Sequence, residues 1–295
     1  MPATASFDKG AIEEWTDLRF FRPLGLAIAR AAMPTRISPD ALTGVALVLG
    51  LVAGHLCFYD NPWINAAGVI LFVVSDIFDS ADGQLARMRG TATRLGKMLD
   101  GLADGARFIN LYINLMLRLL VSGDPAWLVI PLILAAGVAH AYQSAAIDYI
   151  RQLYLYIGEG GAGEFALPED LGSYAARGRF ERFKLDTYRD YLERNGRLVP
   201  TSVALVRQLR AESGLASIGG RWAAAQRGVL RQCAWIGQNI RFALLAVTVV
   251  PGHPAAFAWI TLVPMTAIMV LILLVHERHA AAFLPPSPSQ LAEAA

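Results

Sequence analysis

Asp79-Ser80-Ala81-Asp82-Gly83-Gln84-Leu85-Ala86-Arg87, then eight residues, then Gly96-Lys97-Met98-Leu99-Asp100-Gly101-Leu102-Ala103-Asp104, is the stretch on which the fold turns. It places four carboxylates at and between the facing ends of two apolar runs, Pro62–Ser80 and Leu99–Val121. Each run has the roughly 20 residues needed to cross a bilayer core of about 30 Å. Uncompensated charge in hydrocarbon is costly, so acids at such positions pair, line a wet cavity or hold a cation. The stretch is therefore read as the functional site of a membrane protein.

The rest of the 295 residues agrees: 55% are hydrophobic, only 17% are charged, and the mean hydropathy is +0.42. A net charge of +2 without a long basic run gives no reason to expect a nucleic-acid partner. Cys57 and Cys233 fall in apolar segments without metal-ligand spacing and are expected as buried apolar side chains, not a disulfide. Asp8, Lys9, Glu13, Glu14, Asp17, Arg19 and Arg22 leave no apolar core for a cleavable signal.

Six apolar segments predict transmembrane helices: Ala41–Tyr59, Pro62–Ser80, Leu99–Val121, Ala126–Tyr149, Val229–Val250 and Ala255–Val275. Pro39, Asn61-Pro62, Gly123-Asp124-Pro125 and Pro251-Gly252-His253-Pro254 punctuate the joints. Lys and Arg gather before the first span, between the second and third, and in the long fourth connection, which by the positive-inside rule places both termini and the acidic stretch on the cytoplasmic side. Trp15, Phe20, Phe21, Leu24 and Ile28 among charges, over Ala11–Ala31, predict an amphipathic helix in the membrane interface; a soluble helix docked on the cytoplasmic face is the alternative. The polar segment 158–227 is expected to be a helical cytoplasmic insert, with Phe180, Phe183, Tyr188, Tyr191 and Leu192 at helical spacing and Asn195-Gly196 as a stop.

The fold class is thus all-α and polytopic. Its expected parts are an N-terminal interfacial segment 1–36, spans one to four in 37–157, the insert 158–227, spans five and six in 228–280, and a disordered tail 281–295.

On a helix Asp79 and Asp82 share a face with Gly83, Ala86 and Arg87, while Asp100 and Asp104 share a face of the next helix. Two acid pairs on adjacent antiparallel helices can converge, and their mutual repulsion favours a cation between them. Hard oxygen ligands suit two Mg²⁺ or Mn²⁺ ions, which could clamp a diphosphate. Gly83 and Ala86 leave a cleft where a ligand can approach the backbone, and Arg87 offers a fork for phosphate oxygens. Two other readings of the acids stand beside this one: a buried ion-pair network, and the cation-coupling site of a transporter.

The spacing Asp79-x2-Asp82-Gly83-x2-Ala86-Arg87-x8-Gly96-x3-Asp100-x3-Asp104 resembles the signature of the CDP-alcohol phosphotransferase family, membrane enzymes of phospholipid synthesis, at every fixed position. The resemblance implies transfer of a phospho-alcohol group from a CDP-linked donor to an acceptor hydroxyl, with release of CMP. It implies that Asp79, Asp82, Asp100 and Asp104 bind two metal ions and that Asp104 takes the proton of the attacking hydroxyl. It also implies that Asp82, Gly83, Ala86, Arg87 and Gly96 border the CDP moiety. The family's Pro-Asn-x-x-Thr run corresponds to Pro39-Asp40-Ala41-Leu42-Thr43, which keeps Thr43 beside the nucleotide and replaces the Asn by Asp40.

The donor implied is CDP-diacylglycerol with a small polar acceptor; the reverse arrangement has a soluble CDP-alcohol and a lipid hydroxyl such as diacylglycerol or ceramide. Polar residues inside the spans single out Arg107, Gln238 and Arg241 as candidates for the acceptor, with helix-to-helix hydrogen bonds as the alternative. Arg118 lies some 14 residues beyond Asp104, roughly 21 Å along a helix, and belongs to the far surface. Membrane lipids and a second copy in a homodimer are the remaining expected partners.

Overall fold

A computed structural model describes residues 14–91, 94–162, 165–173, 178–212 and 214–284, with the backbone only for 94–100, 102, 173, 180 and 184. Among the described residues every regular element is helical. They fall into two compact units, one of residues 14–143 with Ala234–Thr266, the other of Ser144–Cys233 with residues 267–284. The first residues of the chain and the tail from 285 onward lie outside the described residues.

The first unit opens with a π turn, Asp17–Phe21, that runs into α1 (Arg22–Ala32). Trp15, 70% exposed, Phe20 and Leu24 lie on its outer side, whereas Gly25, Ala29 and Ala32 are buried. A Cβ on Gly25 would meet Ser80 Oγ at 2.8 Å, so α1 packs backbone-close on α3 (Pro62–Met88).

α2 (Pro39–Leu56) starts where Ser38, extended at φ −79°, accepts a hydrogen bond from Ala41 N at 3.1 Å, with Pro39 in the first turn. Asn61 caps α3 in the same way through Trp63 N and Ile64 N, and Pro62 follows it. The buried face of α2 is a stripe of small residues, Ala46, Gly50, Ala53 and Gly54. That stripe lets α3 and α4 (Arg94–Val121) approach closely, the usual device where lipid removes the hydrophobic drive between helices. A Cβ on Gly54 would lie 3.1 Å from Leu111 N on α4. Phe72, Leu111, Leu115, Leu132, Phe242 and Phe257 build the core around this frame. At the end of the unit away from the acids, Arg118 reaches Asp60 at 2.6 Å in the α2–α3 turn, as its distance from Asp104 requires.

Arg89 closes the α1–α2 connection. Its guanidinium donates to Ile37 O at 2.6 Å, Ala32 O at 2.9 Å, Thr35 O at 3.0 Å and Met33 O at 3.3 Å. Ala32 ends α1 and Met33 caps it, while Thr35 and Ile37 lie in the connection that follows, so one side chain gathers the carbonyls of the whole turn. Arg89→Ala is expected to lower stability by about 1.5–3 kcal/mol, the range for hydrogen bonds to a charged group. Limited proteolysis should then cut within residues 33–38, and Arg89→Lys should not restore protection, because an ammonium lacks the planar fork.

The fourth predicted span is part of a longer helix, α5 (Ala126–Gly158). The fifth differs from expectation. Val229–Val250 is not one helix: α8 (Leu215–Cys233) ends within it, a 3₁₀ turn covers Ala234–Ile236, and α9 (Gln238–Thr248) begins after Gly237 in extended conformation. The sixth segment is interrupted at Pro264, between α10 (Pro254–Leu262) and α11 (Pro264–Ala281). Among the described residues four stretches are long and apolar enough to cross a membrane: Pro39–Leu56, Pro62–Met88, Ala126–Gly158 and Pro254–Ala281.

In the second unit the insert is helical: a 3₁₀ turn Pro168–Ser173, then α6 (Arg179–Gly196), α7 (Pro200–Ala211) and α8 (Leu215–Cys233). Glu277 on α11 caps α7 by accepting from Thr201 N at 2.6 Å and Ser202 N at 3.0 Å. Trp222, fully buried, packs edge-on to His276 and Phe283. Glu169 pairs with Arg207 at 2.7 Å and Asp170 with Arg210 at 2.7 Å.

The Arg207 hydrogen bond holds the Glu169 carboxyl below its ordinary 4.5. For Asp170 burial opposes ionisation, but the Leu167 N–H and Arg210 outweigh it and hold the group below 3.8. Both values are depressed on folding, so this contribution is complete above the unfolded values and is lost as pH falls through the folded ones. The melting temperature is expected to be flat down to about pH 5 and to fall below it, modestly because the pairs are half-exposed and screened. Glu169→Gln with Asp170→Asn should flatten the acid limb in a thermal scan from pH 7 to 3.

Candidate active site

Asp79 and Asp82 sit on the last turns of α3, one helical face apart from the apolar stretch that precedes them. Asp82 is 5% exposed and accepts a hydrogen bond from Thr43 Oγ1, which joins the start of α2 to the acidic face of α3. Thr43 Oγ1 also lies 3.3 Å from Pro39 O, the weaker of two acceptors for its single proton. Gly83 adjoins Arg87: a Cβ there would stand 3.4 Å from the guanidinium, an ordinary contact. Asp40, at the first turn of α2, is exposed and complements the helix N-terminus. Ala86 follows on α3, half-buried.

From α4, Asp104 projects toward α3. Arg107, on the next turn, is 2% exposed and ties the two helices together: it pairs with Asp104 and donates to Asp79 Oδ1 at 3.1 Å and to Ser75 Oγ at 2.7 Å. Ser75 in turn donates to Ala46 O at 2.7 Å. Gly50 on α2 makes this seat, since a Cβ at 50 would fall 2.2 Å from Arg107 Cδ. Asp79 and Asp104 therefore converge from two helices on one cation. Gly96 and Asp100 lie on the backbone of α4, and their side-chain surroundings fall outside the described residues.

Among the described residues no three acids or histidines stand at metal-ligand distances together. The chemistry of the donor set nonetheless suits a hard dication. Carboxylate oxygens from α3 and α4 meet where positive charge is already held, and such oxygens are the ligands that Mg²⁺ and Mn²⁺ prefer.

The three residues expected to meet an acceptor are placed differently from one another. Arg107 is turned onto the acids themselves, where Gly50 of α2 makes room for its stem. Arg241, 1% exposed, donates to Gln143 Oε1 at 2.7 Å and Ile236 O at 3.2 Å, and its guanidinium is thereby committed to neighbouring helices. Gln238 donates to Asp76, one turn before Asp79 on α3.

Asp76 and Ser75 are site-lining residues that the motif did not single out. Their signal was present, because Asp76 stands three residues before Asp79 and so on the same helical face. At the mouth of α9, Asn239 donates to Glu14 at 2.6 Å, Thr16 at 2.7 Å and Asp17 at 3.0 Å.

With this geometry in hand, residues 36–152 match the CDP-alcohol phosphatidyltransferase family. This segment is similar to a CDP-alcohol phosphatidyltransferase domain. It holds α2, α3, α4 and most of α5, and thus Thr43, the acids and Arg107. The domain is similar to the CDP-diacylglycerol--glycerol-3-phosphate 3-phosphatidyltransferase of Cereibacter sphaeroides, 32% identical over 97 residues, 32% of this chain and 42% of that protein. The Bacillus subtilis protein of the same name is 40% identical over 74 residues, 24% of this chain and 36% of its own. A phosphatidylinositol phosphate synthase of Mycobacterium marinum is 33% identical over 85 residues, 28% of this chain and 36% of its own. The chain thus spans less than half the length of these relatives, and what it shares with them is the CDP-alcohol phosphatidyltransferase domain.

Proposed function

We propose that this integral membrane protein transfers a phosphatidyl group from CDP-diacylglycerol to a small polar alcohol and releases CMP. The observation that carries the reading is the convergence of Asp79 from α3 and Asp104 from α4 on Arg107, with Asp82, three residues beyond Asp79 on α3, tied to Thr43 from α2, all within the matched segment. The donor follows the relatives, two of which are named for CDP-diacylglycerol.

In this reaction the acceptor oxygen bonds to the phosphorus of the lipid phosphate while the bond from that phosphorus to the CMP oxygen breaks. Positioning and charge neutralisation dominate such displacements. Two Mg²⁺ or Mn²⁺ ions, held by Asp79, Asp82, Asp100 and Asp104, would supply the charge neutralisation. Thr43 orients Asp82, and Gly83, Ala86, Arg87 and Gly96 border the cytidine diphosphate. Asp104, whose side chain is 36% exposed against 20% for Asp79, is the acid best able to reach an incoming hydroxyl and take its proton. On this reading Gln238, at the start of α9 and bound to Asp76, is the acceptor candidate of that helix, since Arg241 is committed to Gln143 and Ile236.

The reading also assigns a topology. α4, 28 residues and about 42 Å long, and the interrupted segment 229–250 complete six crossings with the four apolar stretches. The acidic ends of α3 and α4 and both termini face the cytoplasm of a bacterial inner membrane, the stretch around α1 lies in the interface, and 158–227 is a cytoplasmic cap.

The test is to incubate the purified protein in nanodiscs with CDP-diacylglycerol, Mn²⁺ and, separately, glycerol 3-phosphate, inositol phosphate and serine, and to follow CMP by mass spectrometry. CMP release with one acceptor is the expected result. Ion-driven flux in vesicles with no CMP from any acceptor would replace the enzyme by a transporter.

A further inference from the structure

Arg107 is a cation held where the proposed chemistry needs cations. Its guanidinium lies between the acids of two helices, paired with Asp104 and 3.1 Å from Asp79 Oδ1. The seat is built for it: Gly50 clears space for the stem, and Ser75, fixed on Ala46 O, receives the other arm at 2.7 Å. The seat is also incomplete, because the buried Nε–H of Arg107 has no hydrogen-bond partner among the described residues. A buried donor left unpaired costs free energy, which weakens the hold of this arginine on the acids.

Resting on the phosphotransferase reading above, we infer that Arg107 is a positioning residue that stands in for a divalent cation between Asp79 and Asp104 and must yield one arm when the metal enters. The arm on Ser75 keeps the side chain in its seat while the arm on Asp79 and Asp104 is released. Two cations compete for the same oxygens, so the arginine sets the metal affinity. Nucleotide, which brings further oxygen ligands and negative charge, tips the competition toward the metal. Metal loading is thereby coupled to arrival of the CDP-linked donor, and the empty site stays assembled in the meantime.

The experiment measures free Mn²⁺ by electron paramagnetic resonance during titration of the purified protein, with and without CDP, in the native chain and in Arg107→Gln. The native chain is expected to bind Mn²⁺ weakly alone and at least tenfold more tightly with CDP. Arg107→Gln should bind at least tenfold more tightly than the native chain without CDP and lose most of the CDP dependence. Its melting temperature should drop without metal and recover with Mn²⁺. Native protein that binds Mn²⁺ beside a variant with equal or weaker affinity overturns the inference and leaves the phosphotransferase reading intact. Native protein that takes up no Mn²⁺ even with CDP overturns that reading instead. Should Arg107→Gln fail to fold, Ser75→Ala removes only the anchoring arm; affinity raised about threefold supports the inference, and unchanged affinity overturns it.

Discussion

Asp104→Asn is expected to lower CMP release by a factor on the order of 10²–10⁴, the usual worth of a positioned general base, while leaving CDP binding within a few-fold of native. The asymmetry follows from placement. Asp82 is buried and tied to Thr43 from α2, so Asp82→Asn disturbs the frame on which the nucleotide rests and should raise the CDP dissociation constant. Asp104 is more open and approaches from the other helix, where an acceptor hydroxyl can reach it. Equilibrium binding of CDP with Mn²⁺ and single-turnover CMP release, measured on both variants, separate the two roles. Equal loss of binding in both would remove Asp104 from the proton transfer.

Gly68→Ala and Gly44→Ala, single-methyl changes on adjacent helices, are expected to act with opposite signs. A Cβ at 68 would lie 2.9 Å from Ala53 O and 3.1 Å from Leu56 Cβ, so α2 and α3 must separate. Overpacking of this kind costs about 1–3 kcal/mol. A Cβ at 44 meets nothing within 4 Å, and the substitution gains helix propensity of roughly 0.5–1 kcal/mol. Because α2 and α3 carry Thr43 and Asp82, the first variant should also lose CMP release in proportion to the parting of that hydrogen bond. Thermal unfolding in detergent checks the signs, and a stabilised Gly68→Ala would refute the close approach of these helices.

The helices were legible where proline and a capping side chain mark their starts, as at Ser38-Pro39 and Asn61-Pro62. Their ends were less so. Apolar runs stop where charge begins, but backbone hydrogen bonding does not: α3 continues through the acids to Met88, and α4 starts at Arg94 ahead of its apolar part. The interruption at Gly237 was invisible for another reason. A single glycine in an apolar run reads as tolerated, and its nearest neighbour is remote in sequence, since a Cβ at 237 would displace the carboxylate of Glu14. The acids and Thr43 were legible because their spacing carries them. The orientation of Arg107 was not, because it depends on the small residues that α2 supplies.

Glu14 gives the N-terminal stretch a role in a helix more than 200 positions downstream. Its carboxylate lies over the opening turn of α9 and receives Asn239, so negative charge meets the helix end whose amides carry partial positive charge. Shortened versions that start beyond this glutamate would bare that turn, and any such trimming, chosen to ease crystallisation or expression, would alter the presentation of Gln238 to Asp76 without touching a single catalytic acid.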